Sequence, residues 1–262
     1  MRIAQITDSH VTRAGALWKG RVDGGAMLAQ AVSRLNDIGV DLAVHTGDLT
    51  DRGDPDATAR AADILSGLRA PLRVLPGNHD ARDQLRAAFP EQVWAPGDFL
   101  NAAEEHGGLR VVFLDTSEPG ETAGRLCPAR ADWLRGALGD GPSLVFAHHP
   151  PCPMGLPFMD RWPFDGTAAF ADILRGADVL RIATGHVHAA ADRHWAGTLV
   201  SACPPLNVAI PLDARPDAPL HYLLEPPMIR LHDWDPGLGL RVQTVPLSLG
   251  AGPFFWFDPT KA

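Results

Sequence analysis

Five short clusters of Asp, Asn and His each follow an apolar run of β type. Asp8-Ser9-His10 follows "RIAQIT", Gly47-Asp48 ends "DLAVHT", and Gly77-Asn78-His79-Asp80 comes after "PLRVL". His148-His149-Pro150 follows "SLVFA", and Gly185-His186-Val187-His188 follows "DVLRIAT". In an extended chain residues i and i+2 face the same way, so His186 and His188 can present two ring nitrogens to one region. Taken together, Asp8, Asp48, Asn78, His10, His148, His186 and His188 supply two carboxylates, one amide oxygen and four imidazoles. Such a mixed oxygen and nitrogen set suits Mn, Fe, Zn or Co better than Mg or Ca. Seven donors are too many for one ion and match two ions that share a bridging carboxylate. Ions about 3.5–4 Å apart can clamp a phosphate and activate a water between them.

Other polar residues read differently. His79 adjoins a ligand candidate, while Asp80 reads as a turn or supporting residue. Between His148 and His149 the residues alone leave the choice open. His45 lies inside a strand and reads as a core histidine; His106, His194, His221 and His232 read as surface or core. Ser9 and Ser201 lack a nucleophile motif, and Cys152 reads as an ordinary thiol near the clusters.

The clusters need elements to position them. Strands are predicted at 2–7, 41–46, 71–75, 109–115, 143–148 and 178–184. Helices are predicted at 25–39, 55–68, 128–138 and 167–176, from apolar spacing of three and four, with Pro55 near one start and Gly39 at one end. To about residue 185 this is α/β alternation, with helices covering the sheet faces. In such sheets ligands bind at the carboxyl ends of strands, where all five clusters fall. After about 193, "GTLVSA", "LHYLLE", "MIRLHDW" and "LRVQTVPL" read as strands with Pro-rich joints, completing a second sheet within one domain spanning 1–262. The loops 12–23 and 150–166, the second rich in Pro and aromatic residues, lie where they can wall a site.

Bulk properties narrow the function. A length of 262 residues with 45% hydrophobic content suits one sizeable core. Net charge is −8 and no Lys/Arg-rich run occurs, which disfavours a stable nucleic-acid partner because phosphates need cations. Cys127, Cys152 and Cys203 are odd in number and far apart, so they read as reduced thiols. No apolar run approaches the roughly 18 residues of a membrane span, and the N-terminus lacks a signal-peptide core. A cytoplasmic protein with no membrane partner is expected.

The ordered motifs D-x-H, G-D, G-N-H-D, H-H-P and G-H-x-H resemble the calcineurin-like metallophosphoesterase superfamily. Within it the chain is similar to the class III cyclic-nucleotide phosphodiesterase and glycerophosphodiesterase group, and "HHPPCPMGLPFMD" and "EPPMIRLHDW" extend the likeness. The resemblance implies an αββα sandwich of four layers, two mixed sheets face to face with a binuclear metal site at the strand ends. It implies that Asp8, His10, Asp48 and His188 hold one ion and Asp48, Asn78, His148 and His186 the other, Asp48 bridging. It aligns His148 rather than His149 with the metal. It gives His79 a contact to the phosphate or the protonation of the leaving oxygen. The implied activity is hydrolysis of small soluble phosphodiesters by a metal-bound hydroxide, in a homo-oligomer of two or more copies. A different reading, phosphomonoesterase or protein Ser/Thr phosphatase, is prompted by "GDLTDRGD" followed by "GNHD", although Thr50 and Asp80 depart from that pattern. A non-catalytic scaffold on the same fold is disfavoured because all seven ligand candidates are present.

Overall fold

The computed structural model describes residues 1–248 and 250. Two mixed sheets carry the fold. The first has the order β11-β10-β1-β2-β3, with β1 (Arg2–Ile6), β2 (Leu42–His45), β3 (Leu72–Val74), β10 (Met228–Asp235) and β11 (Gly239–Pro246). The second runs β4-β5-β6-β7-β9-β8, with β4 (Ala102–His106), β5 (Leu109–Leu114), β6 (Ser143–Ala147), β7 (Val179–Thr184), β8 (Ala191–Trp195) and β9 (Thr198–Ala202). β1-β2-β3 and β5-β6-β7-β9 are parallel runs, while β10, β11, β4 and β8 add antiparallel edges.

Strand alternation sorts the core into three layers. Ile3, Leu42 and Val44 of the first sheet meet Val111, Phe113, Leu144 and Phe146 of the second in one inter-sheet cluster. Their neighbours point the other way. Ala4, Ile6 and Ala43 pack under α1 (Gly24–Ile38) and α2 (Pro55–Leu65). Val112, Leu114, Val145 and Ala147 pack under α4 (Pro128–Leu138) and α5 (Thr167–Leu174). A period of two thus makes each central strand apolar on both faces, as parallel strands covered on both sides require. The helices start and stop where their local chemistry dictates. Asp23 caps α1 by accepting from the Ala26 amide at 3.1 Å, and Gly39 closes it in the left-handed region with φ 71°. Asp54 caps α2 immediately before Pro55.

The predicted elements up to residue 185 are present, and the tail differs from its expectation. Strands after 193 do not complete one sheet. β9 extends the second sheet beside β7, whereas β10 and β11 add to the first through the open edge of β1. "LHYLLE" forms no strand: one isolated bridge joins Ala209 to Leu223, and Leu224 is 63% exposed. The segment lies outside both sheets, whose edge strands are β11 and β3 in the first and β4 and β8 in the second. Three elements escape the pattern reading. β4 ("AAEEH") and β8 ("ADRHW") are polar edge strands held by backbone pairing, and α3 (Arg82–Ala88) buries only Leu85. Residues 251–262, the end of the expected domain, lie outside those described.

Candidate metal centre

All five clusters sit at carboxyl ends: Asp8 and His10 follow β1, Asp48 follows β2, Asn78 follows β3, His148 follows β6, and His186 and His188 follow β7. Two sheets therefore contribute, and their strand ends converge. The Nε2 atoms of His10 and His188 are 3.0 Å apart. His188 Nε2 lies 3.4 Å from Asp8 Oδ1, and His10 Nε2 lies 3.6 Å from Asp48 Oδ2. On the other side of Asp48, its Oδ1 is 3.4 Å from His148 Nε2. Asn78 Oδ1 is 3.3 Å from that nitrogen and 3.1 Å from His186 Nδ1. The seven sequence candidates are thus all brought together, in two groups that meet at Asp48.

The loops are built tightly for this. Among the described residues, seven non-glycine residues have positive φ, and five are ligand candidates: Asp8, His10, Asp48, His186 and His188, at 43–69°. Such backbone costs on the order of 1–3 kcal/mol per residue and persists where surrounding contacts over-determine it. Here they do. Asp8 accepts from the His186 amide at 3.1 Å and from the Thr7 hydroxyl at 2.7 Å. Asp80 accepts from the amides of Leu49, Thr50 and Gly77 at 2.9–3.0 Å, clamping the Asp48 loop to the Asn78 loop. Gly77 and Gly185 are required by close approach. A Cβ on Gly77 would sit 2.1 Å from Asp48 Oδ1, and one on Gly185 2.1 Å from Thr7 Oγ1.

Whether this set fits a cation can be tested on three features. First, the imidazoles are aimed. His148 Nδ1–H donates to the Thr46 carbonyl at 2.8 Å and His188 Nδ1–H to the Val208 carbonyl at 2.7 Å, so each Nε2 lone pair turns inward. Second, carboxylate oxygens, an amide oxygen and imidazole nitrogens crowd within 3.0–3.6 Å of one another. Third, the field favours positive charge. Burial pushes Asp48 toward the neutral acid, but His148 and His10 beside it outweigh this and hold its carboxyl well below the usual range. Burial likewise opposes charge on His148, yet Asp48 and Asp8 lift it to about 9. Burial lowers His186 to about 3 and also lowers His188, keeping both neutral, the form a metal ligand needs. The residues fit.

His149 packs beside this arrangement, its ring centroid 4.6 Å from those of His148 and His186. Its Nδ1 is 2.8 Å from Thr116 Oγ1, and its buried Nε2 has no partner. One of its nitrogens still lies within 4.8 Å of donors from His148 and His186. His79 is different again. Its side chain is 41% exposed, its Nδ1–H donates to the Asp51 carbonyl at 2.6 Å, and its Nε2 stands 4.0 Å from Asp48 Oδ2. The ring lines a cavity of about 560 Å³ that opens over the cluster.

Some functional surroundings are invisible to sequence reasoning. Asp51 faces His10 Nδ1 at 3.7 Å and accepts from Trp18 Nε1–H at 2.9 Å. Its position three residues after Asp48 was the only available signal. Val208, which orients His188, acts through its carbonyl and leaves no signature in residue type.

A two-sheet α/β sandwich with a buried Asp/His cluster at the strand ends is the architecture of a metallophosphoesterase. It superposes on a dimetal phosphatase from Danio rerio with a TM-score of 0.65 at 16% identity, over 95% of this chain and 99% of that one. The chain belongs to the calcineurin-like phosphoesterase family, whose model matches residues 1–190. It is 31% identical to a probable glycerophosphodiester phosphodiesterase of Arcobacter nitrofigilis, over 98% of this chain and 97% of that protein. It is 34% identical to a 3′,5′-cyclic adenosine monophosphate phosphodiesterase of Pseudomonas aeruginosa, over 73% of this chain and 71% of the relative. Among the described residues no helix is long and apolar enough to cross a membrane.

Proposed function

We propose that the protein is a metal-dependent phosphodiesterase acting on small diesters of the cyclic-nucleotide or glycerophosphodiester type. The observation that carries the reading is the position of Asp48, with His10 Nε2 3.6 Å from one carboxylate oxygen and His148 Nε2 3.4 Å from the other. In this reading Asp8, His10, Asp48 and His188 hold one ion, and Asp48, Asn78, His148 and His186 hold the second. The ions are Mn, Fe, Zn or Co, as the mixed nitrogen and oxygen donors favour. When bound they supply Lewis acidity to the phosphoryl group and a nucleophilic water at neutral pH.

The chain's own groups do the rest. Carbonyls of Thr46 and Val208 fix two ligand tautomers. The Asp51 carbonyl accepts a hydrogen bond from Nδ1–H of His79, so in the imidazolium form Nε2–H is the group free to pass its proton to the leaving oxygen, the ring keeping Nδ1–H as it becomes neutral. The exposed ring can reach substrate because seven other side chains already complete the ligand set.

The test is protein purified without chelators, analysed for metal and assayed with Mn²⁺. The expected result is close to two equivalents of metal and faster turnover of bis(p-nitrophenyl) phosphate than of p-nitrophenyl phosphate or a phosphopeptide. A preference for the monoesters would replace this reading with a phosphomonoesterase. Full activity with one equivalent of metal would remove the bridging role of Asp48.

A further inference from the structure

The cavity over the cluster has a wall whose chemistry the hydrolytic machinery does not use. Trp18, from the loop after β1, and Tyr222, from the segment before β10, both line it. Their rings meet at 83° with centroids 5.2 Å apart, forming a right-angled corner. The corner stands next to the candidate ligands, with the Trp18 ring 6.5 Å from that of His10. It is also held in place. Trp18 Nε1–H donates to Asp51 at 2.9 Å, so the indole cannot swing freely. Tyr222 is the single tyrosine of the chain.

We propose that Trp18 and Tyr222 form a specificity subsite that takes a planar aromatic group carried by one arm of the diester, a nucleobase or an aryl ring. The proposal rests on the phosphodiesterase reading above and adds which diesters are preferred. Three observations favour this occupant. A flat group lying on one ring of the corner meets the other ring edge-on, and both offset-stacked and edge-to-face contacts are favourable for aromatic pairs. A glycerol arm has no π face to offer either ring. The cavity of about 560 Å³ falls within the range of about 300–1,000 Å³ that takes drug-sized ligands, room for more than the three-carbon arm of a glycerol diester. Finally, Lys19 lines the same cavity with Nζ over the Trp18 ring, 5.1 Å from its centroid, which gives the corner a cation for a substrate that is also anionic.

The experiment compares Mn²⁺-loaded wild type with Tyr222→Leu, Trp18→Leu and Trp18→Phe. Substrates are 3′,5′-cyclic AMP, bis(p-nitrophenyl) phosphate and glycerophosphoethanolamine. The readout is the ratio of kcat/KM on each aromatic substrate to that on the glycerol diester. Stacking of a base on an aromatic side chain is lost at a cost corresponding to about 5- to 150-fold. Both leucine variants should therefore lower the ratio by that factor, mainly through KM, while Trp18→Phe, which keeps a ring and loses the N–H, recovers most of it. A fall confined to cyclic AMP identifies a nucleobase as the occupant, and an equal fall on both aromatic substrates identifies a general aryl site; either supports the proposal. An unchanged ratio in Tyr222→Leu overturns it. So does a Trp18→Phe ratio as low as that of Trp18→Leu, because Trp18 would then act through Asp51. Equilibrium dialysis of AMP against glycerol 3-phosphate on the same proteins separates the two readings. If wild type cleaves none of the diesters the phosphodiesterase reading fails, whereas loss of AMP preference in the leucine variants still reports the corner.

Discussion

Seven histidines are buried, and they form two populations. His45 and His232 lie inside strands between or beneath the sheets. His10, His148, His186 and His188 lie just past strand ends, with His149 beside them. Burial does not separate the populations, and neither does proton affinity: desolvation depresses His45, His232 and His186 alike to about 3. What separates them is which nitrogen is already engaged. His232 donates Nε2–H to Gln5 Oε1 at 3.1 Å, and His45 donates Nε2–H to the Ser9 hydroxyl at 3.0 Å, which itself donates to the Leu49 carbonyl. Their remaining Nδ1 atoms face no donor or acceptor. His148 and His188 do the reverse: Nδ1–H is tied to a carbonyl and Nε2 faces carboxylates and other nitrogens. His148 and His188 thus differ from the core pair by a tethered Nδ1 and an Nε2 aimed at other donors, not by burial, whereas His186 turns Nδ1 toward Asn78 and the buried Nδ1 of His10 has no hydrogen-bond partner.

The largest effect should come from the residue that joins the two halves of the front cluster. Asp48→Ala removes the charge on which both groups converge. Activity should fall by more than the ~10²–10³-fold typical of losing one oxyanion-stabilising donor, and excess metal should not restore it. Elemental analysis should find both equivalents depleted; retention of both would show that Asp48 is not shared.

His79→Ala should rank next. Its ring is near the cluster but outside the seven-donor set, so metal content should hold while diester cleavage slows by about 10²–10⁴-fold if it is the general acid. The loss should be larger with an alkoxide leaving group such as ribose O3′ than with p-nitrophenolate, which needs little protonation. Equal losses on the two would restrict His79 to binding phosphate charge. A fall in metal content would place it among the ligands.

Asn78→Ala should cost less. Asn78 is a neutral donor facing only His148 and His186, so it serves one half of the cluster. Excess Mn²⁺ should restore part of the activity, in contrast to Asp48→Ala. Equal rescue of the two variants would erase the distinction between a bridging and a one-sided ligand.

Much of this site was legible because its candidate ligands are side chains placed at fixed offsets after apolar runs. Strand, turn and donor are written consecutively in "LAVHTGD" and "IATGHVH", and a parallel sheet puts such ends along one edge. The central strands were legible for the same reason, being apolar on both faces. What stayed hidden acts through the backbone or through distance. The carbonyls of Thr46 and Val208 have no residue signature, and the Asp51–His10 contact depends on how two loops meet. β4 and β8 escaped because edge strands need burial on one face at most, so their composition is that of a loop. "LHYLLE" misled in the opposite sense. Its alternation satisfies a strand pattern, but alternation does not by itself supply a paired neighbour, and the segment makes only the isolated Ala209–Leu223 bridge.

The smallest effect concerns the other population and is read in stability. His232 is neutral in the fold down to about pH 3 because burial, and then Arg181 and Arg230, oppose its charging. In the unfolded chain it titrates near 6.5. Between those values unfolding takes up a proton, so stability is fully present above about pH 6.5 and falls as pH drops toward 3, by at most ~1.4 kcal/mol per pH unit for this one group. His232→Gln keeps a donor for Gln5 Oε1 and removes the titration. Urea unfolding of chelator-treated protein at pH 4.5, 5.5 and 7.5 should then show a shallower loss of stability toward acid, by up to that slope. Metal content of the untreated variant should match wild type, since His232 has no nitrogen in the cluster. Parallel pH profiles would mean that the buried Nδ1 of His232 has a partner that keeps its proton affinity ordinary. A loss of metal would mean that the core histidines support the ligands after all, and the division between the two populations would fail.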